Sequence, residues 1–284
     1  MLQVLSVFAL FSALQCTTSD CPCDWVEATR TLDCENKGIY LIPTNCWDQY
    51  TDIRKVSFHE NALMSLSSSD FTHSNLQNLT EFTASVNNIQ SIDGEVFNKM
   101  KNLHWLDLSY NHLTSLPEYT IKELHQLQFF DISYNSIDLL GLSMFYNITK
   151  LKVFNMNYNF ISELPNLESL TELNRLSAPY NRIESVPSLT HMENLEYLNF
   201  NFNEITEIPS IFIPASSNTM DIHLSKNRFM LTIFASSVLP APSESSVCLD
   251  EALTIYATQE EADEMMEKNW KVCHDLNDAI VIVP

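Results

Sequence analysis

Eight asparagines recur at nearly equal intervals along this chain, and their spacing constrains the fold more than any other feature of the sequence. Successive members are separated by 22 to 26 residues. A period of this length is typical of a protein built by stacking one supersecondary unit on the next. The eight residues are Asn61, Asn87, Asn111, Asn135, Asn159, Asn181, Asn203 and Asn227.

Apolar residues keep fixed positions relative to each asparagine. In the clearest unit, leucines precede Asn111 by eight, five and three residues and follow it by two and five. The pair that lies two apart, Leu106 and Leu108, has the alternation of a short strand with one buried face. An asparagine at the following corner can bond backbone groups of its own coil and of the next coil. The unit around Asn227 is degraded, which suits the end of a stack.

The pattern L-x-x-L-x-L-x-x-N-x-L-x-x-L resembles the leucine-rich repeat signature. The resemblance implies an α/β solenoid with a curved parallel sheet on its concave side. Its convex side would be irregular, with 3-10 turns and short helices, and disulfide-bonded caps would close both ends. We place eight repeats in residues 51–235.

The N-terminal segment has the composition of a secretory signal peptide. No charged side chain precedes Asp20, and residues 4–14 form a short apolar run. A membrane span needs about 20 apolar residues, so the run is too short for an anchor. We predict residues 1–19 as a signal peptide cleaved after Ser19, a secreted extracellular protein and no membrane span.

Cysteines cluster before the first full repeat, in residues 20–50. This segment resembles the cysteine-rich N-terminal cap of extracellular leucine-rich repeat proteins, with its C-x-C followed by a cysteine on the first strand. The resemblance implies disulfides, which we predict as Cys21–Cys34 and Cys23–Cys46. A zinc site is the alternative, but secretion favours disulfides. Signal cleavage before Cys16 would leave an odd thiol and change the pairing.

Residues 236–284 are predicted to form a C-terminal cap, with a disulfide between Cys248 and Cys273. Between these cysteines, residues 258–261 have a capping-box pattern that opens a helix, and an apolar stripe continues to Trp270. We expect this helix to cover the last coil.

Two sequons predict N-glycosylation, at Asn78 and Asn147. The repeat register places Asn78 just before a strand and Asn147 on the convex return, where both would face solvent. Chance occurrence of the triplets is the alternative.

The chain has a formal net charge of −21. Repulsion from phosphate argues against nucleic acid and anionic membranes as partners. The same charge favours a basic protein partner, and solubility alone is the alternative explanation.

The sequence has no arrangement typical of an enzyme. With three glycines it lacks the glycine-rich turns of nucleotide-binding and common hydrolase sites. Its histidines form no metal-binding pair at one-turn spacing, and we predict no metal and no cofactor. Asp107 and Asp131 occupy equivalent positions on neighbouring strands, roughly 5 Å apart. An acid/base site is one interpretation, but aspartate is common at this position in the family, so we predict a non-enzymatic protein.

The repeat register also predicts which side chains project from the concave sheet. Six residues before the asparagines, Trp105, Phe129 and Val153 fall on neighbouring strands. Exposed aromatics beside carboxylates are typical of a protein-binding hot spot, and packing of the aromatics on each other is the alternative. The predicted ligand-binding residues are Trp105, Asp107, Phe129, Asp131, Val153, Asn155, Tyr197 and Asn199.

A second aromatic column directly precedes the asparagines. A recognition ladder is one interpretation. The structural interpretation is favoured, because aromatics are frequent at this position in the family and stack at the corner between strand and loop. The members are Tyr110, Tyr134, Tyr158, Tyr180 and Phe202.

These features predict a secreted module that recognises an extracellular protein on its concave face, in adhesion, receptor-like or innate-immune recognition. The alternative is a matrix or structural component, or the non-catalytic subunit of a secreted complex. The fold hosts many ligands and does not choose between them, and the oligomeric state is left open.

Overall fold

The structure is a computed structural model of the chain. It describes residues 21–209, 212–214, 220–228, 232–234, 245–248, 254–257, 260, 263–264, 271–272 and 280–282. The predicted signal peptide and Cys16 lie outside these residues.

One sheet runs along the whole array and forms its concave side. Across the described residues it has twelve strands in chain order. Its first pair is an antiparallel hairpin, and every later pair is parallel. The strands are Asp24–Val26, Thr31–Asp33, Lys55–Ser57, Glu81–Thr83, Trp105–Asp107, Phe129–Asp131, Val153–Asn155, Arg175–Ser177, Tyr197–Asn199, Asp221–His223, Ser246–Cys248 and Lys271–Val272.

The opposite, convex side of each coil is mostly irregular. In residues 21–209 it carries short parallel strand pairs and three short helices, as the predicted α/β repeat solenoid requires. The strand pairs are Ser65–Leu66 with Ser91–Ile92 and Ser115–Leu116 with Leu139–Leu140. The helices are the α-helix Cys46–Gln49 and the 3-10 helices Ser68–Phe71 and Ser74–Asn78. A further parallel sheet joins Thr232–Phe234, Thr254–Ala257 and Ile280–Ile282.

The core lies between the sheet and the convex segments. All five leucines of the unit around Asn111 are buried. Phenylalanines extend this core along the array: Phe82 packs on Phe58, Phe71 and Phe97, with ring centroids 5.6 to 6.1 Å apart. Full burial of one such side chain contributes about 2–3 kcal/mol, so stacked coils share a continuous source of stability that one coil lacks.

The asparagine column satisfies the backbone at the corner of each coil. Asn87 Oδ1 accepts a hydrogen bond from Leu63 N (3.0 Å), and its Nδ2 donates to Phe58 O (2.8 Å) and Ala84 O (3.2 Å). Leu63 and Phe58 belong to the preceding coil, so the expectation of bonds to the next coil was wrong in direction. The reason is that Phe58 N–H donates to Thr83 O in the following coil. The Phe58 carbonyl faces the same way and receives its donor from that coil.

The predicted N-terminal disulfides were wrong in their pairing. The structure has Cys23 bonded to Cys34 and Cys21 bonded to Cys46. The hairpin explains the difference, because its register pairs Asp24 with Asp33. The next residues outward, Cys23 and Cys34, therefore face each other with a Cα–Cα distance of 4.3 Å. Cys21, two residues further out, reaches Cys46 on the short α-helix.

The zinc alternative for these cysteines does not fit the structure. Within the described residues, the group that could hold a metal ion is Cys21, Cys23 and Cys46. All three are oxidised in disulfides and cannot act as thiolate ligands.

The sheet continues beyond the degraded repeat around Asn227, where the stack was expected to end. Ser246–Cys248 pairs in parallel with Asp221–His223, and Val247 is buried in the position that a core leucine takes elsewhere. The range 236–284, predicted as a cap, thus supplies strands to the same sheet.

The predicted cap helix and disulfide are only partly visible in this range. Glu260, Asp263 and Glu264 are helical, and the rest of the predicted helix lies outside the described residues. Cys248 is disulfide-bonded, and its predicted partner Cys273 also lies outside them.

Replacing one asparagine of the column tests its structural role. Asn87→Ala removes the donor to Phe58 O and the acceptor for Leu63 N, and an unsatisfied buried backbone group costs about 1–3 kcal/mol. We expect a loss of about 2–5 kcal/mol in the free energy of unfolding, measured by chemical denaturation. The matched control is Asn88→Ala, because Asn88 is the next residue and its side chain is exposed. Equal losses in the two variants would contradict the assignment.

Candidate binding surface

The parallel register places the predicted concave side chains in straight rows. We call the positions six residues before the asparagines the outer row and those four residues before them the middle row. Each outer-row residue is the direct strand partner of the next, as the repeat register predicts. The outer row is Lys55, Glu81, Trp105, Phe129, Val153, Arg175, Tyr197 and Asp221. The middle row is Ser57, Thr83, Asp107, Asp131, Asn155, Ser177, Asn199 and His223.

An aromatic pair occupies the centre of the outer row. The rings of Trp105 and Phe129 stack with centroids 3.5 Å apart and planes 6° from parallel. Trp105 nevertheless remains 41% exposed, while Phe129 and its neighbour Val153 are half-buried. The rings therefore pack on each other, as the alternative interpretation expected, and still present apolar surface to solvent. Ligand binding by this pair stays a prediction.

Two carboxylates lie beside this aromatic pair in the middle row. Asp107 Oδ1 accepts from Ser109 N (3.0 Å) and Ser109 Oγ (2.7 Å). Asp131 accepts from Ser133 N (2.8 Å) and Asn155 Nδ2 (2.9 Å). Burial raises the pKa of Asp131 above its ordinary value, against the opposing effect of its hydrogen-bond donors, and the negative charge of Asp107 adds to the rise.

The remaining predicted residues, Tyr197 and Asn199, lie three strands beyond the strand of Phe129 and form a separate cluster with Arg175. The Arg175 guanidinium lies 4.0 Å above the centroid of the Tyr197 ring. Asn199 Nδ2 donates to the Tyr197 hydroxyl (3.0 Å). Arg175 was missed as a candidate, and the predicted binding residues include no cation. Its place in the outer row was the signal that could have found it.

A polar hollow of about 540 Å³ lies at the N-terminal end of the concave surface. Glu35, Lys55, His59, Glu81 and Asp107 contribute charged or titratable groups to its lining. Lys55 Nζ pairs with Glu81 Oε1 at 2.6 Å. The hollow therefore holds more carboxylates than cations.

The column of aromatics beside the asparagines is a continuous stack. Neighbouring rings from Tyr110 to Phe202 lie 4.2 to 4.5 Å apart and within 14° of parallel. Each of these residues has a φ between 53° and 58°, in the left-handed region that L side chains rarely adopt. Stacking of about 0.5–1.5 kcal/mol per pair offsets the cost of that conformation, so the contacts favour the structural interpretation.

The two sequons differ in exposure. Asn147 is exposed on the convex side, whereas Asn78 is half-buried at the end of the 3-10 helix Ser74–Asn78. Glycosylation of both stays a prediction.

Comparison with family models matches three parts of the chain. A model described as Leucine rich repeat matches residues 77–137, and one described as BspA type Leucine rich repeat region (6 copies) matches residues 28–91. A further Leucine Rich Repeat model matches residues 194–214. The chain carries leucine-rich repeats. Comparison with curated protein sequences finds no match.

Several solved structures share the leucine-rich repeat fold of this chain. A TLR13–ssRNA13 complex has a TM-score of 0.67 at 22% identity, over 89% of this chain and 35% of that chain. An LRIM1/APL1C complex has 0.67 at 17%, over 85% and 41%. The APL1 leucine-rich repeat domain has 0.63 at 16%, over 78% and 62%. This chain thus spans between 35% and 62% of their lengths, and identities this low show the fold alone.

No helix among the described residues is both long and apolar enough to cross a membrane.

The Asp131→Asn variant tests the burial of that carboxylate. Because the pKa of Asp131 is raised, the folded chain binds more protons than the unfolded chain between the ordinary value of 3.8 and the folded value. The unfolding free energy contributed by Asp131 therefore falls as pH rises through this window, and the variant should lack that fall. Denaturation from about pH 3 to about pH 7 measures it. Asp138→Asn is the control, because it removes one exposed charge. If the unfolding free energies of wild type and Asp131→Asn change with pH in the same way, the expectation is refuted.

The positive φ of the aromatic column predicts an unusual order of stability for substitutions at Tyr158. Tyr158→Ala removes two ring contacts and should cost about 1–3 kcal/mol in thermal or chemical unfolding. Tyr158→Gly should cost about 1 kcal/mol less than Tyr158→Ala, because glycine adopts the observed φ of 53° freely. At Glu163, which is exposed and has no positive φ, glycine should be the less stable substitution. If Tyr158→Ala were more stable than Tyr158→Gly, the result would argue against backbone strain at this positive φ.

Proposed function

We propose that this chain is a secreted, non-enzymatic recognition module that binds an extracellular protein through its concave surface around Trp105 and Phe129. The observation that carries the proposal is the stacked aromatic pair, whose tryptophan stays exposed at the centre of an ordered sheet. A tryptophan in such a place gains from desolvation by a partner, and residues of this type dominate binding energy in protein interfaces.

The scaffold supports this role because it holds the surface rigidly. Trp105 and Phe129 lie on adjacent strands whose register is fixed by backbone hydrogen bonds and by the buried side chains of Leu106 and Phe130 on the opposite face. Little conformational entropy is then lost on binding, which favours affinity. The two N-terminal disulfides support an extracellular setting, where such bonds persist.

The charge of the concave surface supports a protein partner over nucleic acid. The outer and middle rows hold two cations, Lys55 and Arg175, and four carboxylates. The carboxylates are Glu81, Asp107, Asp131 and Asp221. The TLR13 structure named above is a complex with single-stranded RNA, but phosphate would be repelled from this surface. The LRIM1/APL1C complex is an assembly of two proteins, and this second type of partner suits the present chain better.

An assembly or matrix role is the second candidate, and exposed apolar side chains on the convex side favour it. Tyr119, Leu139, Leu142 and Tyr146 are 56 to 67% exposed there. Burial of such side chains between copies would release apolar surface from water. Self-association that rises with protein concentration in light scattering would support this candidate.

Reciprocal aromatic variants test the two candidates. The tagged protein captures partners from the extracellular fluid of its source, and the affinity for the captured protein is then measured for each variant. Trp105→Ala/Phe129→Ala should weaken binding by at least about thirtyfold, since hot-spot residues contribute about 2 kcal/mol or more. Tyr119→Ala/Tyr146→Ala removes two exposed aromatics from the convex side and should leave the affinity unchanged. A folded concave variant with full affinity would refute the placement.

A further inference from the structure

The two cations of the outer and middle rows are already engaged. Lys55 pairs with Glu81, and the Arg175 guanidinium lies over the Tyr197 ring. Neither is therefore free to neutralise the middle of the surface. The central carboxylates of Asp107 and Asp131 therefore gain no ion pair from either of them.

Asp107 and Asp131 have only neutral hydrogen-bond donors. Their partners are the backbones and side chains of Ser109 and Ser133 and the amide of Asn155. Among the described residues, no lysine or arginine lies within 4.0 Å of either carboxylate. The two residues are direct strand partners, on backbones about 4.8 Å apart, so two like charges lie on neighbouring strands. Repulsion between the two carboxylates disfavours their joint ionisation on the unbound surface.

The aromatic pair adds a second property to the same place. Trp105 and Phe129 are the outer-row residues on the same two strands as Asp107 and Asp131. An entering side chain would meet two carboxylates and, next to them, two aromatic rings. A long side chain with an apolar stem and a cationic head matches both features.

We propose that Asp107 and Asp131 receive an arginine side chain of the protein partner, with its methylene stem packed against Trp105 and Phe129. The inference rests on the proposed concave protein-binding function and names the chemistry of the partner. Arginine fits better than lysine for a geometric reason. Its planar guanidinium carries five donors in a fork that can bridge two carboxylates, and it also packs well on aromatic rings, whereas lysine presents a compact point charge.

The environment of Asp131 is consistent with this arrangement. Partial burial disfavours its ionised form and raises its pKa. A bound guanidinium would reverse that effect, because an opposite charge stabilises the carboxylate. The shared acidic surface would also draw a basic partner toward the site before contact.

Nona-arginine and nona-lysine peptides of equal length and charge are the probes. Their affinities for the full chain are measured by calorimetry at physiological salt. The arginine peptide should bind more tightly than the lysine peptide. Asp107→Asn/Asp131→Asn should weaken the arginine peptide by about tenfold or more and remove the preference, since charge-assisted bonds contribute about 1.5–3 kcal/mol. Asparagine retains an acceptor for the Ser109 and Ser133 amides, which protects the fold.

The matched control is Glu163→Gln/Glu172→Gln, which loses the same two charges at exposed positions away from the sheet. It should change the affinity by less than about threefold, as expected for screened charges. Equal losses in the two double variants would show that only net charge matters, and this result would overturn the proposal. Equal affinity of the two peptides for the wild type would overturn it as well.

Binding of the captured partner to the variants distinguishes the arginine proposal from the broader proposal of protein binding on the concave surface. If Trp105→Ala/Phe129→Ala loses the partner and Asp107→Asn/Asp131→Asn keeps it, concave binding stands and the arginine anchor is wrong. If both variants keep full affinity, both proposals fail. Loss in both variants, with the arginine preference in the peptides, supports both.

Discussion

The backbone carbonyl three residues before each asparagine from Asn61 to Asn203 faces the following coil, and the asparagine of that coil donates to it. The same asparagine accepts from a backbone N–H two residues past the preceding corner, as Asn111 does with Ile89 N at 3.0 Å. Each side chain therefore satisfies buried groups in two coils at once. Because a buried unpaired amide is costly, this repeated bond fixes how each coil sits on the one before it. The strand register, and with it the concave surface, depends on that fixed corner.

The surface inherits its order from the corner. One residue before each asparagine, the chain turns through a positive φ, and stacked aromatics from Tyr110 to Phe202 line this turn. The strand that ends there presents its outer and middle rows at constant spacing. Trp105 and Phe129 stack because strand spacing brings their rings together, and Asp107 and Asp131 are held as neighbours for the same reason. The aromatic, acidic and amide side chains of this surface are therefore held by the strands themselves, and no separate binding loop is needed to position them.

Sequence reasoning predicted the solenoid, the buried positions and the rows, because all three follow from the repeat period and from side-chain alternation. It failed where contacts depend on the path between repeats. Cys23 faces Cys34 because a hairpin of specific register precedes the first parallel strand, and no repeat spacing encodes that register. The sheet also continues beyond the repeat around Asn227. Val247 provides the buried core residue of the next strand, although no asparagine-centred unit surrounds it.

The sequence by itself determined the fold and the side of the sheet on which each residue lies, because a period of about 24 residues and the alternation of a strand leave one arrangement that buries the leucines. Only the tertiary structure decided which charges have partners. Lys55 reaches Glu81, and Arg175 lies over Tyr197, while Asp107 and Asp131 meet neutral donors. These pairings depend on side-chain conformations across strands, which are set by local packing and distance rather than by position in the repeat.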